Sequence, residues 1–349
     1  MELLNKKDTI VSLQCCNNKV MKPKIALLHV GGSMGMIMNQ KTGRISPVES
    51  VGEIHRLVPE LQKEVSLSLF PISNIGSIDI TPELWTEIAN TIYREYDKYD
   101  GFVITHGTNT MSYTASALSF AIQGLSKPII LTGAILPVND AAGDARRNLV
   151  YAIRAAQLDI AEVCVVLGPK VLRGSRTKKM HESVSRTFES TRFPHLADFT
   201  RNFEIHPWRI TKRKRSLKFN PNFDPNVALI TLYPGMSNKF LNAVLESEPH
   251  GILIRAFGPG MIPEIISPWL KDVTKRNIPI VMTSQVLDSF VDLQFYRKQL
   301  TLEKMGIISG KDMTYECALT KFMWGLAQTK SPSKLRGLIE KNLVGELDE

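Results

Sequence analysis

The sequence predicts an α/β protein in two parts, a larger N-terminal parallel-sheet domain and a smaller C-terminal α/β domain. Three observations carry this. Short β-branched apolar runs alternate with longer helical patterns, the spacing of a parallel sheet with helices on both faces. Loops rich in glycine and hydroxyls follow several of these runs, where an open sheet binds its ligands. The alternation breaks once, over 206–226, in a polar, turn-rich stretch, and then resumes.

Residues 1–23 read as an extension. They carry Lys6 and Lys7 but no uninterrupted apolar region of the kind a secretory signal needs. The first strand is expected over 24–30, followed by Gly31-Gly32-Ser33-Met34-Gly35. A loop with Ser77 and Asp79 precedes a helix that opens at Thr81-Pro82-Glu83 and runs to about Tyr96. Thr81 is a capping hydroxyl, Pro82 suits the first helical position and Glu83 the first turn. A strand over 101–105 leads into Thr105-His106-Gly107-Thr108-Asn109-Thr110-Met111, and a helix over Met111–Gln123 follows. Further strands are expected over 128–133 and 162–167, with a helix over Arg146–Ala156 between them. A fourth loop, Gly174-Ser175-Arg176-Thr177-Lys178-Lys179, comes next. Past His206-Pro207-Trp208 and the prolines of 221–225, strands are expected over 227–232, 251–255 and 278–283. Helices follow over 313–328 and 333–342. The predicted division is 24–205, a linker over 206–226, and 227–349.

Composition narrows the classes. Hydrophobic residues make up 43% and charged residues 22%, as in soluble globular proteins. Apolar runs such as 24–30, 129–131 and 278–282 are too short to span a bilayer. The cysteines are Cys15, Cys16, Cys164 and Cys317, at no zinc or iron–sulfur spacing. Core packing is expected for Cys164, and reduced thiols in the cytoplasm for the set. Net charge is +9, and residues 168–218 alone hold 14 Lys and Arg against 4 Asp and Glu. The densest part is Lys212-Arg213-Lys214-Arg215. Because no aromatics interleave to stack bases, a solvated linker or flap is the expected reading and nucleic acid is not an expected partner.

The loops carry the chemistry. Glycines beside Ser33 let a backbone approach a ligand closely and point N–H groups inward. Thr108, Asn109 and Thr110 precede a helix N-terminus that favours negative charge. Taken singly each loop is weak evidence, since a loop hydroxyl caps a helix more often than it attacks a substrate. His106 is either a general base or a hydrogen-bonded histidine that fixes its loop. The Gly31–Gly35 run lacks dinucleotide spacing, and no phosphate-loop motif is present.

Together, and in this order, the loops resemble those of the bacterial-type L-asparaginases. The likeness covers about residues 24–345. It includes Tyr113 to Phe120, Arg173-Gly174-Ser175-Arg176-Thr177, Tyr233-Pro234-Gly235 and Asp312-Met313-Thr314, and it is nearest the type I, cytoplasmic branch. The resemblance implies a two-domain asparaginase-like fold, no cofactor or metal, a homodimer or homotetramer, a small-molecule amide substrate and no membrane. It implies Ser33 as nucleophile and Thr108 with Lys179 as the second hydroxyl and its lysine. Gly32, Arg44, Ser77, Gly107 and Asn109 then bind substrate. Arg176 and Lys178 are expected to lower the basicity of Lys179 so that it accepts a proton from Thr108.

The chain departs from the family at several points. Ser33 replaces Thr. Asn109 stands where the family places the Asp that pairs with the substrate's α-ammonium. The activating Tyr of the first loop has no counterpart, Arg44 falling nearest. Met261 stands where an Asn commonly reaches the site across a subunit interface. Lys178 occupies an effector position, and 292–297 replaces a glycine-rich stretch. An amidohydrolase whose substrate has a modified or blocked α-amino group is therefore expected. The alternatives are an ordinary L-asparaginase and a non-catalytic or tRNA-linked homologue.

Overall fold

The computed structural model describes residues 21–39, 41–47, 58–182, 186–200, 203–213, 216–294 and 297–348. Lys6, Lys7, Cys15, Cys16, Lys214, Arg215, Phe295 and Tyr296 lie outside the described residues.

The larger sheet has eight strands: β1 (Lys24–Gly31), β2 (Ser66–Ile75), β3 (Gly101–Thr105), β4 (Ile129–Thr132), β5 (Val163–Val166), β6 (Lys170–Arg173), β7 (Ala197–Phe199) and β8 (Phe203–Ile205). Its order is β8-β7-β6-β5-β4-β3-β1-β2. The five strands from β5 to β2 are parallel, as the alternation predicts. The sheet is nonetheless mixed, because β6, β7 and β8 add antiparallel strands at one edge. Their three- and four-residue runs are too short to show a period. Strand β2 also lacks a clear apolar signal. Its SLSLFPISNI sequence contains Pro71, which a central strand does not tolerate, and β2 is the opposite edge.

Strands β1, β3, β4 and β5 read as continuous apolar runs because both sheet faces are covered. One face packs on α1 (Pro82–Glu95) and α2 (Met111–Ala121), the other on α3 (Ala145–Ala155). Thr81 takes the N-cap position of α1 in extended backbone, but its hydroxyl makes no cap hydrogen bond. It bonds the Glu83 carboxyl instead, which holds that group below its usual range. Helix α2 ends at Ala121, two residues short of the expectation, and Ile122–Gln123 pair with Lys218–Phe219.

The second sheet, β9 (Val227–Thr231), β10 (Gly251–Ala256), β11 (Ile280–Ser284) and β12 (Ile308–Ser309), is parallel throughout and in chain order. Helices α4 (Asn238–Glu246) and α5 (Ser267–Lys275) cover one face; α6 (Arg297–Lys304) follows β11. Helices α7 (Tyr315–Gln328) and α8 (Pro332–Glu340) pack against the sheet's other side. Helix α2 is buried on nearly every side, packed between the large sheet and α7. Its Ala and Ser residues permit that close approach, and its lack of a polar face follows from it.

Several described residues of 206–226 are held to the rest of the molecule. Arg209 pairs with Asp159 at 2.9 Å, Phe219 stacks on Tyr93 and Phe223 meets Trp85 edge-on. Cys164 and Cys317 are buried and free, and burial pushes both thiols up. Among the described residues no helix is long and apolar enough to cross a membrane.

Candidate active site

Four strand-end segments meet at the carboxyl edge of the parallel strands. After β1 the chain turns through Gly32 at φ 80° into a short 3-10 turn, Ser33–Gly35. Gly32 lies flat on the next loop: a Cβ on it would sit 2.4 Å from Gly107 Cα and N. Gly107 in turn faces Ser77, since its own Cβ would fall 2.7 Å from Ser77 Oγ. Neither contact leaves room for a side chain. The three loops are therefore stacked through glycines, and Ser33 and Thr108 each come one residue after the contact.

Buried polar groups fix that stack. Thr110 donates its hydroxyl to Ser77 O at 2.6 Å instead of capping α2. His106 is fully buried, and burial lowers its pKa to about 4. It is neutral at physiological pH. Gly107 O, 2.6 Å from Nδ1, only accepts, so Nδ1 carries the proton and Nε2 accepts from the Thr114 hydroxyl at 2.9 Å. Trp85 Nε1 donates to that same hydroxyl oxygen at 3.0 Å. His106 thus holds its loop, the second of its two readings, and has no open nitrogen for base catalysis. His29 plays a similar part beside Gly35, whose Cβ would fall 2.8 Å from its ring. Its Nδ1 lies 2.7 Å from Thr105 Oγ1 and its Nε2 3.2 Å from Asn74 Oδ1. Burial lowers its pKa, partly countered by Asn74. His29, Asn74 and Thr114 were not singled out from sequence; polar residues inside apolar strands and helices are the signal that marks them.

Lys179 ends a short strand, Thr177–Lys179, that pairs antiparallel with Phe188–Ser190. Its Nζ donates to Thr108 Oγ1 at 2.9 Å, Asn109 Oδ1 at 2.6 Å and Glu182 Oε1 at 2.6 Å. Glu182 is a group that sequence reasoning missed. The three N–H bonds of the ammonium are all engaged. Because Asn109 Oδ1 faces Lys179, its amide nitrogen turns away and has no protein acceptor among the described residues.

The two cations expected to act on Lys179 are occupied elsewhere. Arg176 is fully buried and pairs with Asp312 and, at 3.0 Å, with Asp348, while donating to Gly345 O. Lys178 bonds Glu316 at 2.5 Å and lies 4.3 Å from the centre of the Tyr315 ring. Both reach the C-terminal segments, and their charges are met by carboxylates there. Arg44 lies in the turn of a hairpin, Met36–Met38 with Ile45–Pro47. Its side chain is exposed, and among the described residues nothing joins it to Ser33, Thr108 or Lys179.

The assembled groups are one loop hydroxyl with a glycine neighbour, a second hydroxyl bonded to a lysine, and a helix N-terminus without a side-chain cap. That set suits attack on a carbonyl with stabilisation of the resulting oxyanion.

Residues 24–210 match the family model described as Asparaginase, N-terminal, and residues 226–339 match the Glutaminase/Asparaginase C-terminal domain. A Glutamyl-tRNA(Gln) amidotransferase polypeptide of Methanosphaera stadtmanae is 35% identical over 94% of this chain and 77% of its own length. The L-asparaginase of Thermococcus kodakarensis is 37% identical over 79% of this chain and 84% of its own. The thermostable L-asparaginase structure from Thermococcus kodakarensis superposes with a TM-score of 0.86, 32% identity, covering 93% of this chain and 99% of that one.

Proposed function

The chain belongs to the asparaginase family and is an amidohydrolase of it, and on that premise we propose that it cleaves a side-chain amide whose α-amino group is modified or blocked. Ser33 Oγ attacks the amide carbon and its proton passes to the leaving nitrogen. The C–N bond breaks and ammonia departs. Water then attacks the Ser33 ester, releasing the carboxylic acid and restoring the hydroxyl. Thr108, its oxygen bonded to Lys179, orients and activates the water in the second step. Glu182, with its side chain 75% exposed, gives up Lys179 when substrate enters. Backbone N–H groups at Thr108 and the start of α2 stabilise the oxyanion, and Ser77 with Gly107 holds the substrate carboxylate.

The single observation that carries the specificity is Asn109. Its oxygen is held by Lys179 at 2.6 Å, so it offers the substrate a donor rather than a negative charge. A free amino acid brings an ammonium, which has only donors. An acyl or peptide carbonyl at the same place is an acceptor. Losing one partner of a desolvated ion pair costs about 2–5 kcal/mol, or roughly 30- to 5,000-fold in affinity. Ammonia release from N-acyl-asparagine is therefore expected to exceed that from free L-asparagine at equal concentration. If free L-asparagine is the better substrate, the reading falls.

A second reading has its own support. Relatives that share about a third of the sequence are named as one of the subunits of a Glutamyl-tRNA(Gln) amidotransferase. On that reading the released ammonia passes to a protein partner. Glutamine-dependent ammonia transfer appearing only with a second protein added would favour it.

A further inference from the structure

The edge hairpin of the large sheet gathers three metal-binding side chains far along the chain from Ser33 and Thr108. His195 precedes β7, Asp198 lies in it and His206 follows β8. His195 Nε2 and His206 Nε2 lie 2.5 and 2.9 Å from the same oxygen, Asp198 Oδ2. The three donor atoms all fall within 4.8 Å of one another, each on a partly buried residue.

We propose that this is a binding site for one divalent transition metal of the zinc class. Two imidazole nitrogens and one carboxylate oxygen suit such an ion better than calcium or magnesium, which prefer oxygen. Tetrahedral coordination at about 2.0–2.1 Å sets donor atoms roughly 3.3 Å apart. Each imidazole nitrogen reaches that spacing from Asp198 Oδ2 by moving less than an ångström from its present 2.5 or 2.9 Å. One ring and the backbone of the other histidine are held from outside. Trp208 stacks on His206 with centroids 4.8 Å apart and donates Nε1–H to His195 O at 2.8 Å.

A second observation points to a cation. Asp198 stands directly across the hairpin from Glu204, and two carboxylates facing each other across a strand pair repel. On the other side Asp198 faces Lys170 in β6, yet among the described residues no ion pair joins them. Among the described residues, only the two imidazoles meet the Asp198 charge. A metal ion would be held by His195, Asp198 and His206 and would relieve the repulsion. The remaining position would be water.

The test uses the full chain, freed of metal with a chelator and titrated with Co2+. One equivalent is expected to bind with visible ligand-field bands, at a Kd of about 10 μM or tighter, and Zn2+ should bleach them. His195→Asn and His206→Asn should each weaken binding by at least ~10-fold. Should a variant fail to fold, the wild-type protein still decides the matter. On Zn2+ addition, ring resonances of two of the seven histidines should shift together. No saturable binding, or binding that survives both substitutions, or resonances of other histidines shifting instead, would overturn the proposal.

Discussion

Lys178 and Lys179 are neighbours in one strand and face different parts of the molecule. Successive residues of a strand point to opposite sides. Lys178 therefore meets Glu316 and Tyr315 of the C-terminal part, and Lys179 meets Thr108 at the carboxyl edge of the large sheet. The first is a seam, where charge is neutralised pairwise. The second is the candidate site, where Lys179 serves two uncharged oxygens and a carboxylate that solvent can reach. The difference explains the basic window. Arg173 pairs with Glu162 and Arg176 with Asp312 in the interior, and Arg209 with Asp159 nearer the surface, so part of that positive charge is met by the protein's own carboxylates. An excess of charge in sequence is not an electrostatic surface until its partners are placed.

The contrast can be broken by exchanging the two behaviours. Lys179→Met should lower kcat about 10²- to 10⁴-fold, the usual worth of a general acid–base group, with a melting temperature close to wild type. Lys178→Met should do the reverse. It strands Glu316, whose side chain is 6% exposed and whose second oxygen already lacks a partner. Breaking such a pair costs about 3–5 kcal/mol, read as a fall in the denaturant midpoint, with kcat changed far less. If Lys178→Met abolished turnover while leaving stability intact, the division between seam and site would be wrong.

A smaller effect sharpens the site's own scaffolding. His106 has a folded pKa of about 4 against an unfolded value of 6.5. The unfolded chain binds the extra proton between those values. Stability is therefore complete above about pH 6.5 and is lost as pH falls towards 4, by roughly 3 kcal/mol at the low end. His106→Gln keeps a donor and an acceptor and should flatten that slope, measured as unfolding free energy against pH. An unchanged slope would mean that His106 is not the buried neutral group described here.

Much of this was legible from the sequence, for physical reasons that can be named. Strands β1, β3, β4 and β5 announce themselves because both faces are buried, and the loops after β1 and β3 because only glycines allow their backbones to touch. Pro71 hid β2, and the brevity of β6 to β8 hid the antiparallel edge. Thr108 and Lys179, chosen 71 positions apart, stand within hydrogen-bonding distance. What the sequence did not reveal is mostly partnership. It placed Arg176 and Lys178 beside Lys179 by adjacency, whereas their carboxylates lie 136 and 138 residues away. Glu182 and the His195–Asp198–His206 cluster likewise depend on turns that spacing alone does not define.

On the proposed function Asn109 is where recognition and chemistry touch, since Lys179 bonds both it and Thr108. The most direct measurement is the ratio of kcat/KM for N-acyl-asparagine to that for free L-asparagine, in the wild-type protein and in Asn109→Asp. The wild-type ratio should exceed one, and the substitution should move it towards free L-asparagine by about 30- to 5,000-fold. A wild-type ratio below one, or a ratio that Asn109→Asp leaves unmoved, would contradict the assignment of Asn109 to the α-amino end of the substrate.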